Sequence, residues 1–395
     1  MTRALTLTAF TTVNCLGRGI GPLLAALRSR SSGLRYCDYE DARLDTYIGR
    51  VDNLEDEPVI DRLADFDCRN NRLAQLTLQQ DAFEAHVREA AEKYGANRIA
   101  VILGTSTAGI RETERGYALR ENSAADLPAG YNYRTTQNVF SLADFVRDYL
   151  ELRGPAAVIA TACSSSAKVF ASAQRWIQAG LCDAALVGGV DSLCLTTLYG
   201  FSSLQLVSSS PCRPCDPERD GISIGEAGGF ALIEATSAEP GQISLLATGE
   251  SSDGYHMSSP HPDGKGAALA MRSALQCAGL RPEQIDYINL HGTASWVNDS
   301  AENKAVHQIF SSATPCSSTK GWTGHTLGAA GIVEAIISAL CLQNELIPGC
   351  LNSAAIDPTF QINARLENQS AHLKYVMSNS IGFGGNNCSL IFGLA

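Results

Sequence analysis

Residues 158–168, which read VIATACSSSAK, place a cysteine between an apolar strand and small polar residues that open a helix. Apolar residues continue at helical spacing, and Gly180 follows where a C-terminal cap is expected. A thiol at a helix N-terminus faces unpaired N–H groups and the positive end of the helix dipole, which favour the nucleophilic thiolate. The position therefore predicts that Cys163 is a catalytic nucleophile. Taken alone, the same cysteine is equally well explained as a small buried core residue.

Two histidines and a lysine also lie at a strand end or in a glycine-rich turn. His291 opens HGTAS at the end of an apolar strand, and Lys320 and His325 lie in STKGWTGHTLGAAG, where glycines permit tight turns. Strand ends in α/β folds are where ligand-binding groups collect. We therefore expect these three residues to meet Cys163, which gives a thiol with two imidazoles and a cation. Glu334, on the helix that follows, is expected to hold that cation in place.

The elements that must position these residues alternate along the chain. Besides the strand before Cys163, the predicted strands are 5–11, 99–104, 184–190, 229–235, 243–248, 285–290, 314–319, 375–380 and 387–392, the last two as a hairpin. Besides the helix after Cys163, the predicted helices are 21–28, 71–94, 143–152, 266–278, 299–310 and 327–343. This alternation predicts a mostly parallel sheet with helical crossovers. We expect two similar α/β halves, 1–240 and 241–395, in one compact unit.

The composition predicts a compact soluble protein. The 395 residues are 45% hydrophobic and 18% charged, and the net charge of −11 argues against nucleic acid or an anionic membrane as a general partner. No signal-peptide pattern and no membrane-length uncharged apolar run is recognised. The 13 cysteines lack a framework spacing, which favours the reducing cytoplasm. Cys212 and Cys215 form a CxxC pair without a second pair or a nearby histidine, so no metal site is predicted.

Four motifs together name a family. TACSSSA, HGTAS followed by NDSAE, STKGWTGHTLGAAG and NSIGFGGNN resemble the β-ketoacyl-acyl carrier protein synthases, the elongating condensing enzymes with a thiolase-type fold. The match runs in order over essentially the whole chain. It implies a thiolase-like α/β fold in which two similar halves form α-β-α-β-α layers. The Cys-His-His set separates elongating synthases from the initiating type, which uses Cys-His-Asn, and from thiolases, which carry a second catalytic cysteine.

The resemblance implies a decarboxylative Claisen condensation. Cys163 would hold an acyl group as a thioester, and malonyl-acyl carrier protein would lose carbon dioxide and extend the chain by two carbons. His291 and His325 would donate hydrogen bonds to the enolate oxygen, and Lys320 would order the site. The backbone N–H groups of Cys163 and Phe383 would form the oxyanion hole, with Phe383 also acting as a gate. No cofactor is implied beyond the phosphopantetheine of the carrier protein.

The resemblance also implies residues that contact the substrate or the carrier protein. Each of them has a simpler structural explanation as well. Thr293 and Thr323 match threonines that hydrogen-bond pantetheine, although each is nearly as well explained as an ordinary loop residue. Phe201 matches a pocket-lining phenylalanine, although a bare aromatic is more often core. An acidic carrier protein requires basic residues near the entrance, although arginines on one helix are usually a solvated face. The candidate carrier contacts are Arg62, Arg69 and Arg72.

The stretch 104–114, GTSTAGIRETE, departs from the usual elongating synthase. Arg111, Glu112 and Glu114 stand where apolar residues or glycine are usual, which argues against an ordinary saturated fatty-acyl pocket. The loop is similar to ketosynthases of polyene or polyketide clusters. Family members dimerise through a sheet strand that we place at 184–192, so a dimer with itself or a related chain is expected. The alternatives are a thiolase-like acyltransferase that uses coenzyme A and a non-catalytic chain-length partner.

Overall fold

One strand order occurs in both halves of the chain and builds the central sheet of the computed structural model. The structure describes residues 4–122, 126–128, 130–236 and 238–395. The strands are β1 Leu5–Asn14, β2 Gly17–Arg18, β3 Arg35–Tyr36, β4 Tyr47–Gly49, β5 Ile99–Gly104, β6 Ala156–Ile159, β7 Ala184–Asp191, β8 Ile224–Gly225, β9 Ala227–Glu234, β10 Ile243–Ser252, β11 Tyr287–Asn289, β12 Pro315–Ser317, β13 Leu346–Ile347, β14 Asn363–Ala364, β15 Gln369–Ser370, β16 Tyr375–Gly382 and β17 Asn386–Leu394. The α-helices are α1 Ile20–Ser29, α2 Arg69–Leu78, α3 Phe83–Tyr94, α4 Ile110–Ala118, α5 Ser141–Tyr149, α6 Ser165–Gln178, α7 Leu195–Ser203, α8 Lys265–Ala278, α9 Trp296–Phe310, α10 Lys320–Thr323 and α11 Ala330–Asn344.

The two halves share their sheet topology. Across the sheet the order is β6-β5-β7-β9-β1 in the N-terminal half and β12-β11-β16-β17-β10 in the C-terminal half. In each half the first three strands of that order are parallel, and the two remaining neighbour pairs are antiparallel. Antiparallel pairing of β1 with β10 joins the halves. The predicted fold class, two similar α/β halves, is therefore confirmed.

The helices complete the layers around these strands. Helices α6 and α11 share the central apolar cluster with strands of both halves, whereas α2, α3 and α5 belong to a second cluster and α8 and α9 to a third. A Cβ on Gly331 of α11 would lie 2.4 Å from the backbone N of Ala167 on α6, so the glycine permits this close approach. The predicted α-β-α-β-α layering follows from this distribution.

Helix α11 is apolar on all sides because it lies inside the protein. The segment Leu327–Asn344, with a mean hydropathy of 1.5, is long and apolar enough to cross a membrane by length and composition, but 89% of it is buried within the fold. Its burial shows that it is a core helix of this fold.

The two ends of the sheet differ. Among the described residues, strand β6 pairs with β5 alone and is half-buried along its length, so its outer edge has no paired strand there. At the other end, β14 pairs with β12 and covers that edge. The predicted dimer strand at 184–192 is wrong, because β7 is fully buried between β5 and β9 and its backbone is already paired on both sides.

The predicted helix 71–94 is in fact two helices. Asp81 and Ala82 adopt left-handed backbone conformations with φ of 53° and 55°, and they separate α2 from α3. The Asp81 carboxylate accepts hydrogen bonds from the Ile20 N–H, at 3.0 Å, and the Thr11 hydroxyl, at 2.8 Å. Hydrogen bonds to residues distant in sequence thus fix the break between the helices, and the spacing of apolar residues does not reveal them. Helices α4 and α7, at 110–118 and 195–203, were also not predicted.

Candidate active site

The thiol of Cys163 lies where β6 turns into α6. A single turn, Ala162–Ser164, separates strand from helix, and Ala162 has a left-handed φ of 52°. The Phe383 N–H, in the glycine turn after β16, donates a hydrogen bond toward the Cys163 sulfur. A Cβ on Gly382 would lie 2.8 Å from the Thr161 carbonyl oxygen, so only glycine lets this turn approach the nucleophile loop. The C-terminal half therefore supplies a backbone donor at the cysteine.

His291 follows β11 and is held from behind by a carboxylate. The N–H groups of His291 and Gly292 donate to Glu302 on α9, at 2.9 and 2.8 Å. Burial raises the pKa of Glu302 to about 7, against the opposing effect of these two N–H groups. Glu302 lies within the NDSAE motif, but no role was predicted for it. Its spacing after HGTAS, on a helix that packs behind the strand end, was the available signal.

The Lys320 ammonium joins His291 to α11. Its Nζ lies 3.2 Å from Nδ1 of His291 and 2.5 Å from the His291 carbonyl oxygen, and it donates to the Glu334 carboxylate. The predicted contact between Lys320 and Glu334 is therefore present. Burial raises the pKa of Glu334 to about 7, while the Lys320 charge acts in the opposite direction. Lys320 contacts His291 directly, and its charge also lowers the pKa of His325.

His325 lies against the nucleophile. Its Nε2 is 3.0 Å from the Cys163 sulfur, and its Nδ1 accepts the Leu327 N–H at 3.2 Å. The rings of His291 and His325 lie 5.2 Å apart between centroids and are nearly perpendicular, at 84°. Because a donor occupies Nδ1 of each ring, the hydrogen-bond network places the proton of each neutral imidazole on Nε2. Both rings can then donate from Nε2 into the space beside the cysteine.

The charge states of these groups follow from burial. Desolvation, with the nearby Lys320 charge, holds the pKa values of His291 and His325 well below their usual range, so both are neutral. Burial also raises the pKa of Cys163 to about 11, while Lys320 and the Phe383 N–H lower it by less. The expected preference for the thiolate is therefore wrong for the resting protein. The groups that favour the thiolate are present, but desolvation outweighs them.

Asp191, at the end of β7, ties the two halves together beside this site. Its buried carboxylate accepts the Ser106 N–H at 2.7 Å, the Thr107 N–H at 2.9 Å and the Gly328 N–H at 2.6 Å. Gly328 belongs to the loop that carries His325. Asp191 was not predicted as a site residue, because a single aspartate at a strand end forms no recognisable motif.

The three reactive groups open onto one cavity. Its lining comes from both halves and includes Cys163, Phe201, His291, His325 and Phe383. The rings of Phe201 and Phe383 contact each other in this lining, with their centroids 5.7 Å apart. A thioester that enters this space meets the sulfur and both imidazoles together.

The same three side chains also resemble a set of metal ligands. The Cys163 sulfur and one ring nitrogen from each of His291 and His325 lie within 4.8 Å of one another. A metal would need those nitrogens without protons, whereas the donors at Nδ1 place protons on Nε2. The nearby Lys320 charge also repels a cation. The groups fit proton donation better than metal binding, and the absence of a metal site stays a prediction.

Comparison with known proteins assigns the chain to a family. The model of the beta-ketoacyl synthase N-terminal domain matches residues 10–239, and that of the C-terminal domain matches residues 243–354. The chain belongs to the beta-ketoacyl synthase family. It is therefore a condensing enzyme of the acyltransferase class, as the motifs predicted.

Relatives of this synthase include both curated and structurally solved proteins. The 3-oxoacyl-[acyl-carrier-protein] synthase 2 of Vibrio cholerae is 34% identical over 320 residues, which cover 75% of this chain and 76% of the relative. The ketosynthase ApeO of Xenorhabdus doucetiae, solved in complex with its chain length factor ApeC, is 38% identical with a TM-score of 0.89, covering 100% of this chain and 98% of that one. The ishigamide ketosynthase/chain length factor is 25% identical with a TM-score of 0.90 and full coverage of both chains.

The structure separates the two threonines predicted to bind pantetheine in this synthase. Thr293 lines the cavity. Thr323 does not belong to the described lining, because its hydroxyl donates to the Gly324 carbonyl at 2.9 Å within the buried end of α10. Ser295 lines the cavity instead, with its hydroxyl 2.9 Å from that of Thr293. The pantetheine contact of Thr323 stays a prediction, and the HGTAS motif itself supplies a second hydroxyl at the cavity.

The three arginines predicted to contact the carrier protein are all engaged within the synthase. Arg69 is only 2% exposed, and its Nε lies 3.0 Å from the buried carboxylate of Glu226, so its prediction as a surface contact is wrong. Arg62 donates to backbone carbonyls of residues 148 and 149 at 2.8 and 2.7 Å. Arg72 donates to the Asp67 carboxylate at 2.6 Å. Arg62 and Arg72 retain exposed surface and stay predictions.

The unusual charges of the 104–114 stretch tie elements together. Arg111 donates to Glu40 at 2.6 Å, the Glu112 carboxylate accepts the Arg69 N–H at 3.3 Å, and the Glu114 carboxylate accepts the N–H of Thr196 at 2.5 Å. None of the three charged residues belongs to the described lining of the catalytic cavity. Their presence therefore does not make that cavity polar. Glu114 instead holds the start of α7, the helix that carries Phe201.

Proposed function

We propose that this synthase extends an acyl group by two carbons through decarboxylative condensation with malonyl-acyl carrier protein. One observation carries the proposal: the Cys163 sulfur lies 3.0 Å from Nε2 of His325 in a cavity that His291 also lines. A nucleophile that holds the acyl group and two neutral donors that hold an enolate are the parts that this reaction needs. No cofactor besides the carrier's phosphopantetheine enters the proposal.

The first half-reaction is acyl transfer to Cys163. The sulfur attacks the thioester carbonyl of acyl-carrier protein, and the N–H groups of Cys163 and Phe383 stabilise the oxyanion. The carbon–sulfur bond to the carrier then breaks. Because the resting thiol is protonated, its proton ends on the departing carrier sulfur, and the net charge of the site does not change. The groups around Cys163 that favour the thiolate assist this transfer.

The second half-reaction uses the C-terminal half. Malonyl-carrier loses carbon dioxide, and the electron pair of the broken bond forms an enolate whose oxygen accepts hydrogen bonds from Nε2–H of His291 and His325. The enolate carbon attacks the acyl carbonyl, the bond to Cys163 breaks, and the cysteine takes up a proton. The hydrogen bonds strengthen as negative charge builds on the oxygen, so they stabilise the transition state more than the bound substrate.

The proposed pathway is polyene or polyketide synthesis in the cytoplasm, with a ketosynthase-type chain as partner. Support comes from the relatives solved with chain length factors and from the open edge of β6. An unpaired apolar edge strand is a liability for a monomer and is suited to pairing with another chain. The partner is either a second copy or a chain length factor that adds its own strand to this edge.

A panel of acyl-carrier proteins tests the proposal. With each acyl-carrier and malonyl-carrier, mass spectrometry should detect a 3-ketoacyl-carrier that is two carbons longer than the starting acyl group. Condensation that requires acyl-coenzyme A and releases no carbon dioxide would instead support the thiolase-like alternative. A protein without acyl transfer to Cys163 would support the non-catalytic alternative, which the presence of Cys163, His291 and His325 argues against.

A further inference from the structure

Helix α7 carries Phe201 but is weakly anchored by its own residues. Within α7, which the structure describes in full, only Leu198 is buried. The residue before the helix is Cys194, which is not one of the oxygen-bearing residue types that cap helices well. The first N–H groups of a helix have no partner within the helix. Those of α7 therefore need an acceptor from another segment.

Glu114 on α4 supplies this acceptor. Its carboxylate accepts the N–H of Leu195 at 3.1 Å, and it accepts both the N–H and the hydroxyl of Thr196 at 2.5 Å. A negative charge at this place also interacts favourably with the positive end of the helix dipole. The charge and the hydrogen bonds together hold the start of α7 against α4.

Helix α4 is a firm support for this contact because polar contacts tie it to other segments. The buried Arg111 donates to Glu40 at 2.6 Å. The Glu112 carboxylate accepts the N–H of Arg69, at the start of α2, at 3.3 Å. Arg111, Glu112 and Glu114 therefore link α2 and the segment around Glu40 to α7 through a single helix.

Toward its other end, α7 reaches the catalytic cavity. The Phe201 ring lies 5.7 Å from the ring of Phe383, whose N–H donates toward the Cys163 sulfur. The Phe201 carbonyl accepts the Leu206 N–H at 3.1 Å, and the Leu206 carbonyl accepts the Ile222 N–H at 2.7 Å. All five residues line the cavity. A shift of α7 would therefore move one wall of the space beside Cys163.

We propose that Glu114 is a positioning residue for acyl transfer, because by capping α7 it holds Phe201 against Phe383 beside Cys163. The inference rests on the proposed function, in which Cys163 receives the acyl group. Glu114 itself lies outside the described lining of the cavity, so its effect passes through Phe201. Decarboxylation of malonyl-carrier uses His291 and His325 and does not depend on this wall.

The rates of the two half-reactions test the inference. Glu114→Ala removes the acceptor for three donors, so the kcat/KM for acyl transfer from the preferred acyl-carrier to Cys163 should fall about tenfold, as expected for loss of a hydrogen bond to a charged group. Mass spectrometry of the acylated chain measures this transfer. Carbon dioxide release from malonyl-carrier, measured on the same preparation, should keep its wild-type rate.

Two further variants show whether Glu114 acts through α7 and Phe201. Glu114→Gln keeps an oxygen that can accept the Thr196 N–H, so it should recover most of the lost acyl transfer. Phe201→Ala combined with Glu114→Ala should transfer the acyl group at the rate of Phe201→Ala alone, because the ring that Glu114 positions is already absent.

Glu84→Ala is the matched control. The Glu84 carboxylate also accepts a hydrogen bond, from the Tyr149 hydroxyl at 2.7 Å, but it joins α3 to α5. This variant should leave both half-reactions unchanged.

Wild-type acyl transfer in Glu114→Ala would overturn the inference. Equal losses of transfer and decarboxylation would also overturn it, because they would show that Glu114 only stabilises the fold. Additive losses in the double variant would exclude an action through Phe201. A wild-type protein that transfers no acyl group to Cys163 would instead overturn the proposed function.

Discussion

Cys163 and His325 occupy corresponding places in the two halves of the fold. Each lies between the first strand in the repeated sheet order of its half and a central helix, β6 and α6 for Cys163 and β12 and α11 for His325. The N-terminal connection spans residues 160–164, whereas the C-terminal connection spans 318–329 and includes the short helix α10. The short connection presents one side chain at a helix start. The longer one adds Lys320 and His325, so one scaffold supplies a nucleophile in one half and proton donors in the other.

The halves also differ in buried charge and at their sheet edges. The C-terminal connection buries Lys320 against Glu334, with Glu302 behind the neighbouring His291, whereas the Cys163 connection carries no ionised side chain. Strand β14 pairs with β12 at the C-terminal end of the sheet, whereas in the described part of the chain no strand covers β6 at the N-terminal end. The neutral donors of the site therefore lie beside a buried ion pair, and the edge proposed for assembly lies at the opposite end of the sheet.

Removal of the buried Lys320 ammonium tests the difference in buried charge between the halves, and it has the largest expected effect. Lys320→Met leaves Glu334 as an unpaired buried carboxylate, so the free energy of unfolding should fall by about 3–5 kcal/mol. Urea unfolding followed by circular dichroism measures the loss. Lys320→Met combined with Glu334→Leu should recover most of it, because no buried charge is then left without a partner. A single variant as stable as the wild type would contradict the assigned ion pair.

The donor role of the C-terminal half is tested by His291→Ala and His325→Ala. Each should slow malonyl-carrier decarboxylation by about 100- to 1000-fold, the usual effect of losing one donor to a developing oxyanion. Carbon dioxide release measures the rate, and His372→Ala, at an exposed histidine, is the control. Either active-site variant with wild-type decarboxylation would remove that histidine from the mechanism.

The open edge is tested at Val158. The carbonyls of residues 155 and 159 accept hydrogen bonds from Val101 of β5 and from Thr105, which follows β5. Because successive residues of a strand direct their backbone groups to opposite sides, the N–H of Val158 faces outward. Val158→Pro removes that N–H and should weaken dimerisation about 100-fold, measured by sedimentation velocity. Val158→Thr keeps the N–H and should dimerise normally. Unchanged dimerisation of the proline variant would place the interface elsewhere.

The raised pKa of Cys163 predicts a pH dependence for alkylation. Because the thiol is protonated until pH approaches its pKa of about 11, the rate of iodoacetamide labelling at Cys163 should rise steadily through the neutral and mildly alkaline range. The rise should be about tenfold per pH unit, since only the thiolate reacts. Peptide mapping in a Cys277→Ser background measures it. A rate that levels off near neutral pH would show that the thiolate is already stabilised at rest.

Motifs and strand ends predicted most of the site, because ligand-binding side chains in α/β folds collect where strands end. Cys163, His291, Lys320 and His325 meet as expected, and so do Glu334 and Phe383. Burial was harder to predict. The same helix N-terminus that favours a thiolate lies in a dry interior, so the Cys163 pKa rises, and the sequence carries no measure of that desolvation.

Contacts between segments distant in sequence account for the remaining wrong predictions. The helix break at Asp81 depends on partners in β1 and α1 that are distant in sequence. Arg69 looks like a surface residue until Glu226, from β8–β9, is brought against it. Each case depends on a contact between segments that local pattern and propensity do not report.

The central claim is that one half holds the acyl group while the other stabilises the enolate, and a single variant separates these roles. Cys163→Ala, supplied with acyl-carrier and malonyl-carrier, should form no 3-ketoacyl product yet still release carbon dioxide from malonyl-carrier. Both products can be measured in one reaction by mass spectrometry and carbon dioxide trapping. A Cys163→Ala protein that still makes the 3-ketoacyl product would contradict the account.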